Sequence, residues 1–147
     1  MPDFSFQRGE RLKSRKVIEQ LFKGGQSFAQ YPLRIVWIEM TPAQSTFPAQ
    51  FALSVSKKKF KRAVHRNRIR RLVRESYRLH KHRLYQRLGE LKGSTNDQAL
   101  GASSSQLALM VIYTSTEILP FAEIEKAIQS VLERLGKKYR AQRPTAG

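Results

Sequence analysis

The strongest chemical signal in this sequence is a run of basic side chains near its centre. Between Lys57 and Arg83 the chain carries thirteen Lys or Arg residues and a single acid, Glu75. Guanidinium and ammonium groups bind phosphates, and a solvated protein surface normally mixes charges of both signs. A run this one-sided therefore indicates a polyanion as the partner.

This run is predicted to form one long helix that begins near Ala63. Like charges four residues apart on a helix cost about 0.2 to 0.5 kcal/mol each, and bound phosphates would offset that cost for the row Arg62, Arg66, Arg70, Arg74 and Arg78. Lys57 and Lys58 precede the helix, where the macrodipole favours an anion. Together with Arg62 they are candidate phosphate-binding residues at the helix start.

Composition supports a nucleic acid over the other polyanionic surfaces. The chain has 147 residues, a net charge of +17 and a pI near 10.9, which is typical of one domain that binds nucleic acid. An anionic membrane is the rival surface. The sequence has no apolar stretch of about 18 residues and no secretion signal at its N-terminus, so we expect a cytoplasmic protein.

Residues for self-contained catalysis are scarce. The absence of cysteine excludes thiolate metal sites and cysteine nucleophiles. His80 and His82 are two apart and would point in different directions on a helix, as would Glu123 and Glu125. No nucleophile, phosphate-loop or dinucleotide motif occurs. The sequence predicts neither a catalytic residue nor a metal site in the protein itself.

Length and hydrophobic periodicity predict a single domain over residues 1–147, with an α+β core at about 8–139. The elements follow the order α-β-β-α-β-α in a two-layer α/β sandwich with a small sheet. The first two strands are expected to pair antiparallel, and Leu107 to Tyr113 is expected in the middle of the sheet. Residues 93–105 read as a flexible loop and residues 140–147 as a disordered tail. The predicted helices and strands are Ser14–Phe22, Leu33–Met40, Ala49–Ser56, the basic helix, Leu107–Tyr113 and a last helix from near Pro120.

Several aromatic residues lie near basic ones in the first helix and the first predicted strand. Phe22, Phe28, Tyr31 and Trp37 are candidates for stacking on single-stranded nucleic acid, where each base contributes about 1 to 3 kcal/mol. Aromatic residues at helix and strand spacing also commonly pack in a core. Either interpretation is open for each ring on residue pattern alone.

The basic segment and the strand before it resemble a known family. The run Ser54-Val55-Ser56-Lys57-Lys58, followed by Arg66-Asn67-Arg68 with Arg71 and Arg74 behind it, closely resembles the bacterial ribonuclease P protein subunit. The resemblance extends over about residues 8–139. It implies a fold with a left-handed βαβ crossover around the basic helix, against the general preference for right-handed connections.

The resemblance also implies a function. In that family an RNA subunit with bound Mg²⁺ acts as the endoribonuclease that removes the 5′ leader of precursor tRNA, so Mg²⁺ is expected to be bound mainly by the RNA, and the protein is a non-catalytic subunit. Its partners would be the RNA subunit and precursor tRNA, with no membrane and no obligate protein partner. By resemblance, the residues that contact the RNA subunit are Arg66, Asn67, Arg68, Arg70, Arg71 and Arg74, and those that line a cleft for the leader are Phe22, Phe28, Tyr31 and Ser54.

Two other functions share part of this pattern. A ribosomal or ribosome-assembly protein would need a basic helix but would not require Arg66-Asn67-Arg68 or an aromatic cleft. A stand-alone nuclease would need catalytic groups that the sequence does not offer.

Overall fold

The computed structural model describes residues 8–40, 48–93 and 106–142, and it has the predicted α+β architecture. A short 3-10 helix at Arg8–Glu10 precedes the main elements. These are α1 (Arg15–Gly24), β1 (Gln26–Gln30), β2 (Leu33–Met40), β3 (Ala49–Val55), α2 (Ala63–Gly93), β4 (Gln106–Tyr113) and α3 (Phe121–Gln142).

The sheet has four strands in the order β1-β2-β4-β3. The predicted central position of Leu107–Tyr113 is confirmed, because β4 pairs antiparallel with β2 on one side and parallel with β3 on the other. The predicted antiparallel pairing of β2 with β3 is wrong, since β4 lies between them. Strand β1 was not predicted, and it pairs antiparallel with β2 at one edge.

Helices lie on both faces of the sheet, whereas the sequence predicted two layers. The larger core contains the apolar stripe of α2, including Ile69, Val73 and Tyr77, packed with α3 against one face of the sheet. On the other face, Val17 and Leu21 of α1 pack over β2 and β4. Helix α1 is too short to cover that face completely. A part of the sheet surface is therefore left open.

Local sequence explains where α1 starts and stops. Ser14 caps the helix by accepting a hydrogen bond from the backbone N–H of Val17 at 3.3 Å. Gly25 ends it in a tight space, because a Cβ at this position would lie 3.0 Å from Cγ1 of Val36 and 2.5 Å from the carbonyl oxygen of Leu21. The last turn of α1 therefore sits directly above Val36 in β2.

The basic helix α2 connects two parallel neighbouring strands, β3 and β4, and so forms a βαβ unit. The left hand of this crossover stays a prediction from the resemblance. Helix α2 begins at Ala63, as predicted, and runs to Gly93. The predicted loop after Gly93 lies outside the described residues. Helix α3 continues to Gln142, past the predicted start of the tail at Arg140, and residues 143–147 lie outside the described part.

The N-terminal segment is fixed to the fold by a buried ion pair. Glu10 is fully buried, and its Oε1 accepts hydrogen bonds from Lys81 Nζ of α2 and from the Tyr85 hydroxyl at 2.7 Å. The next residues lie along β3, where the N–H of Leu12 donates to the carbonyl of Phe51 at 3.0 Å. This arrangement places Arg11 and Lys13 beside the basic helix.

Candidate nucleic-acid interface

The loop before α2 is ordered by its own backbone and by one arginine. The Ser56 hydroxyl accepts hydrogen bonds from the N–H groups of Lys58 and Lys59 at 3.2 and 3.3 Å. Nη1 of Arg66 donates to the carbonyl oxygens of Phe60 at 2.8 Å and Lys61 at 2.9 Å. Arg66 therefore braces the loop against the first turn of α2, and this contact uses part of the guanidinium that was predicted to bind RNA.

Several of the predicted RNA-binding residues project from the start and outer side of α2. Lys57, Lys58, Arg62, Arg68 and Arg71 are all exposed, and no hydrogen bond or ion pair joins any of them to another described residue except through backbone groups. Their charged groups can therefore reach a ligand without first breaking a contact within the described structure.

Glu75, the single acid of the basic run, does not neutralise these residues. It accepts hydrogen bonds from Arg78, one of them from Nε at 3.3 Å. This hydrogen bonding from Arg78 holds the pKa of Glu75 below its ordinary value. The Glu75 carboxylate therefore pairs with Arg78, one turn further along α2. The N-terminal part of α2 keeps its positive electrostatic potential.

A second group of cations lies on the side of α2 that faces β3. Arg11, Lys13, Arg70 and Arg74, here called the basic cluster, line a cavity of about 230 Å³, and none of the described residues that line it is acidic. Asn67 contributes by orienting one member, because its Oδ1 accepts a hydrogen bond from Arg70 Nη1 at 3.3 Å. Arg11 and Lys13 were not predicted as site residues, since tertiary contacts, the ion pair at Glu10 and the pairing with β3, bring them next to α2.

The basic cluster is electrostatically strained in the free protein. Partial burial, followed by repulsion from Arg11 and Arg70, lowers the pKa of Arg74 below its ordinary value. Folding therefore disfavours the charged form of Arg74, because burial removes part of its hydration and two other cations lie nearby. A bound phosphate would relieve this repulsion.

We expect Arg74→Gln to stabilise the free protein slightly and to weaken its binding of RNA. Removal of one like-charge contact is worth about 0.2 to 0.5 kcal/mol, or about 1 °C in Tm for a domain of this size. Thermal melts at low salt will show the gain, and melts at about 1 M salt will not, because screening removes the repulsion. A loss of Tm at low salt would contradict the strain inferred at this cluster.

The open part of the sheet lies next to the last turn of α1. Directly paired residues place their side chains on the same face, and the pairings align Ser54 of β3, Ile112 of β4, Arg34 of β2 and Ala29 of β1. We call these four residues the open row. All are exposed except Ile112, which is partly buried. The adjacent row, which contains Val36 and Met110, is the one that α1 covers.

Phe22 stands beside the open row. It lies on the last turn of α1, which ends above Val36, and 60% of its side chain is exposed. A large apolar ring at this exposure contributes little to the core. Of the four predicted cleft residues, Ser54 lies in the open row on β3, and Phe22 is exposed on the last turn of α1, which packs on the same face of the sheet.

The other two predicted cleft residues lie elsewhere. Phe28 pairs with Ile35, so its side chain points to the opposite face of the sheet. There it is only 7% exposed. Its ring packs against Arg134 of α3, whose Cζ lies 4.6 Å from the ring centroid. The prediction that Phe28 lines an open cleft with Phe22 is wrong, because the register of β1 turns it into the larger core. Tyr31 is exposed but borders a cavity of about 760 Å³ between α2 and α3, and its hydroxyl donates to Ser115 Oγ at 3.2 Å.

The described residues contain no cluster of three or more His, Asp or Glu side chains placed to bind a metal ion. No helix in the described ranges has the length and apolar character required to cross a bilayer. What this part of the chain presents is a cationic surface next to an exposed ring and an uncovered strip of sheet.

Comparison with known proteins identifies the family of this chain. The family model described as Ribonuclease P matches residues 6–136. The chain belongs to the ribonuclease P protein family. The ribonuclease P protein component of Porphyromonas gingivalis strain W83 is 37% identical over 134 residues, which cover 91% of this chain and 88% of that protein.

Solved structures of ribonuclease P proteins share the fold. The Staphylococcus aureus RNase P protein superposes with a TM-score of 0.60 at 20% identity, covering 86% of this chain and 94% of that one. The Thermotoga maritima RNase P protein gives a TM-score of 0.56 at 20% identity, with 85% and 96% covered. The mixed sheet and three helices found here are therefore the architecture of ribonuclease P proteins.

Proposed function

We propose that this chain is the protein subunit of ribonuclease P and assists RNA-catalysed removal of the 5′ leader from precursor tRNA. The observation that carries the proposal is an exposed cationic surface in a chain that belongs to the ribonuclease P protein family. Its basic side chains can hold phosphates, and the described residues include no group of His, Asp or Glu side chains that could hold a metal ion. The chemistry therefore belongs to the RNA, and the cytoplasmic location follows from these RNA partners.

Two neighbouring surfaces have separate tasks in this proposal. The exposed cations at the start and outer side of α2, together with the basic cluster, bind the backbone of the RNA subunit, where electrostatic contacts dominate affinity. Phe22 and the open row bind the single-stranded leader, since an exposed ring next to a basic surface is the usual platform for an unpaired base.

Mg²⁺ enters this function through the RNA. The ion prefers oxygen ligands and binds phosphates readily, and the described part of the protein has no group of carboxylates to compete for it. The protein lowers the Mg²⁺ requirement by adding cationic charge near the RNA phosphates.

Reconstitution tests the function directly. Precursor tRNA is incubated with the protein alone, with a bacterial ribonuclease P RNA alone at low Mg²⁺, and with both together. We expect cleavage at the leader junction only when both are present. Cleavage by the protein alone would indicate a nuclease, and failure to stimulate the RNA would favour a ribosomal or ribosome-assembly role.

Phe22 provides a test of the leader surface. Phe22→Ala is expected to reduce the affinity of the holoenzyme for precursor tRNA by about tenfold, the equivalent of one lost stacking contact, and to leave mature tRNA binding unchanged. Because the ring is largely exposed, Tm should change by less than about 2 °C. If the affinities for precursor and mature tRNA fell equally and Tm dropped strongly, Phe22 would have a structural role and not a leader-binding one.

A further inference from the structure

Arg34 occupies an unusual position for a charged residue. It lies in β2, between the buried residues Leu33 and Ile35, and its side chain projects from the sheet face that α1 leaves open. Its neighbours across the strands are Ile112 and Ala29. Arg34 is therefore the one cation of the open row.

The side chain is oriented but not neutralised. Nη2 of Arg34 donates to the Ser27 hydroxyl at 3.3 Å, from the adjacent strand and the same face of the sheet. Arginine has five N–H donors, and no carboxylate pairs with Arg34 among the described residues. Since Arg34 is exposed, its remaining donors are accessible to an anion.

The dimensions of the open row suit an extended strand of nucleic acid. Adjacent strands of a sheet lie about 4.8 Å apart, so the row from Ser54 in β3 to Ala29 in β1 measures about 14 Å. Ser54 and Ala29 have short side chains, and Ile112 is partly buried. A single strand that contacts Phe22 can continue across the sheet over this strip and pass Arg34.

We propose that Arg34, held by Ser27, binds a backbone phosphate of the single-stranded leader where it crosses the open row. This inference rests on the leader surface of the proposed function and names a binding residue in it that the family motif does not contain. A phosphate fits better than a base as its ligand, because the open row has no aromatic ring on which a base could stack. A phosphate requires only the charge and the fixed donors.

The first test compares Arg34→Gln with a variant of equal charge change on the opposite face. Lys126→Gln is the matched control, since Lys126 is an exposed residue of α3 and α3 packs on the other side of the sheet. For the reconstituted holoenzyme, we expect Arg34→Gln to weaken precursor tRNA binding about five- to tenfold. The slope of log affinity against log salt should fall by about 0.7, the value for one phosphate on a single strand. Mature tRNA binding and the slope of Lys126→Gln should not change.

The second test locates the phosphate. Leader phosphates are replaced one at a time by uncharged methylphosphonates. We expect one position to weaken binding to the unaltered protein and to have no further effect on Arg34→Gln. Ser27→Ala should give a smaller loss with an unchanged salt slope, because the charge remains while its orientation is relaxed.

The outcomes separate this inference from the proposed function. If Arg34→Gln forms a holoenzyme that cleaves precursor tRNA with unchanged affinity and salt slope, the assignment to Arg34 is wrong and the proposed function stands. A different result would be that the unaltered protein prefers guanine in the leader and that Arg34→Gln loses this preference without a change in the salt slope. That result would show that Arg34 binds a base and not a phosphate. If the unaltered protein does not stimulate the RNA, the proposed function itself fails.

Discussion

Replacing Glu10 with alanine is expected to lower the free energy of unfolding by about 3 to 5 kcal/mol. Glu10 is fully buried and Lys81 is only 3% exposed, so the substitution leaves an ammonium group buried without its carboxylate. Loss of one partner of a buried ion pair is costly for this reason. The Tyr85 hydroxyl also loses its acceptor at 2.7 Å. Chemical denaturation should show the loss, and Tm should fall by about 10 °C.

A second substitution separates the buried charge from ordinary loss of packing. We expect Glu10→Ala with Lys81→Met to be more stable than Glu10→Ala alone, because an apolar side chain of similar length removes the uncompensated ammonium. Glu133→Ala is the control for loss of a carboxylate from an exposed ion pair. In that pair Oε1 of Glu133 lies 3.5 Å from Nζ of Lys137, and both side chains are more than half exposed. It should cost less than about 1 kcal/mol. A double variant no more stable than the single one would contradict the role given to Lys81.

The ion pair of Glu10 also affects the interface. It ties the N-terminal segment to α2, and that segment carries Arg11 and Lys13 into the basic cluster. The positions of Arg11 and Lys13 thus depend on a neighbouring buried acid and on its pairing with Lys81, which is 71 residues away in the sequence. The destabilised variant should accordingly bind RNA more weakly even at temperatures where it stays folded.

The elements with strong periodicity could be predicted from sequence. The start of α2 at Ala63 follows from the change of pattern after β3, and the uninterrupted apolar run Leu107–Tyr113 required a strand covered on both faces. Strand β1 gave no such signal, because Gln26–Gln30 contains a single large apolar residue and lies at the sheet edge. The insertion of β4 between β2 and β3 is a tertiary choice with no local signature.

The same missing strand explains the error in the site. Without β1 and its register, no rule assigns Phe28 to the core face. Arg34 was not selected as a site residue, because it is a single charged residue within an apolar strand and does not belong to the basic run. In contrast, the exposed cations of α2 were predictable, since a helix fixes its outer face from spacing alone.

Arg68 and Arg71 are expected to contribute most to binding the RNA subunit. Both are exposed on α2, and neither makes a hydrogen bond or ion pair with another described residue. Replacing both with alanine should weaken binding about 100-fold at low salt, at about tenfold for each lost charge-assisted contact. The slope of log affinity against log salt should fall by about 1.4 to 1.8, the value for two phosphates. Filter binding or fluorescence titration over a range of salt concentrations measures both quantities.

The same helix supplies the control for this double variant. Arg83 and Arg87 are also exposed residues of α2, but they line the cavity on the α3 side, away from the basic cluster. Their double alanine variant removes the same net charge, so it reports how much of the effect comes from the long-range field alone. We expect a small loss of affinity and little change of slope. Equal losses for the two double variants would mean that the RNA responds to overall charge, and the N-terminal part of α2 would then have no special place in the interface.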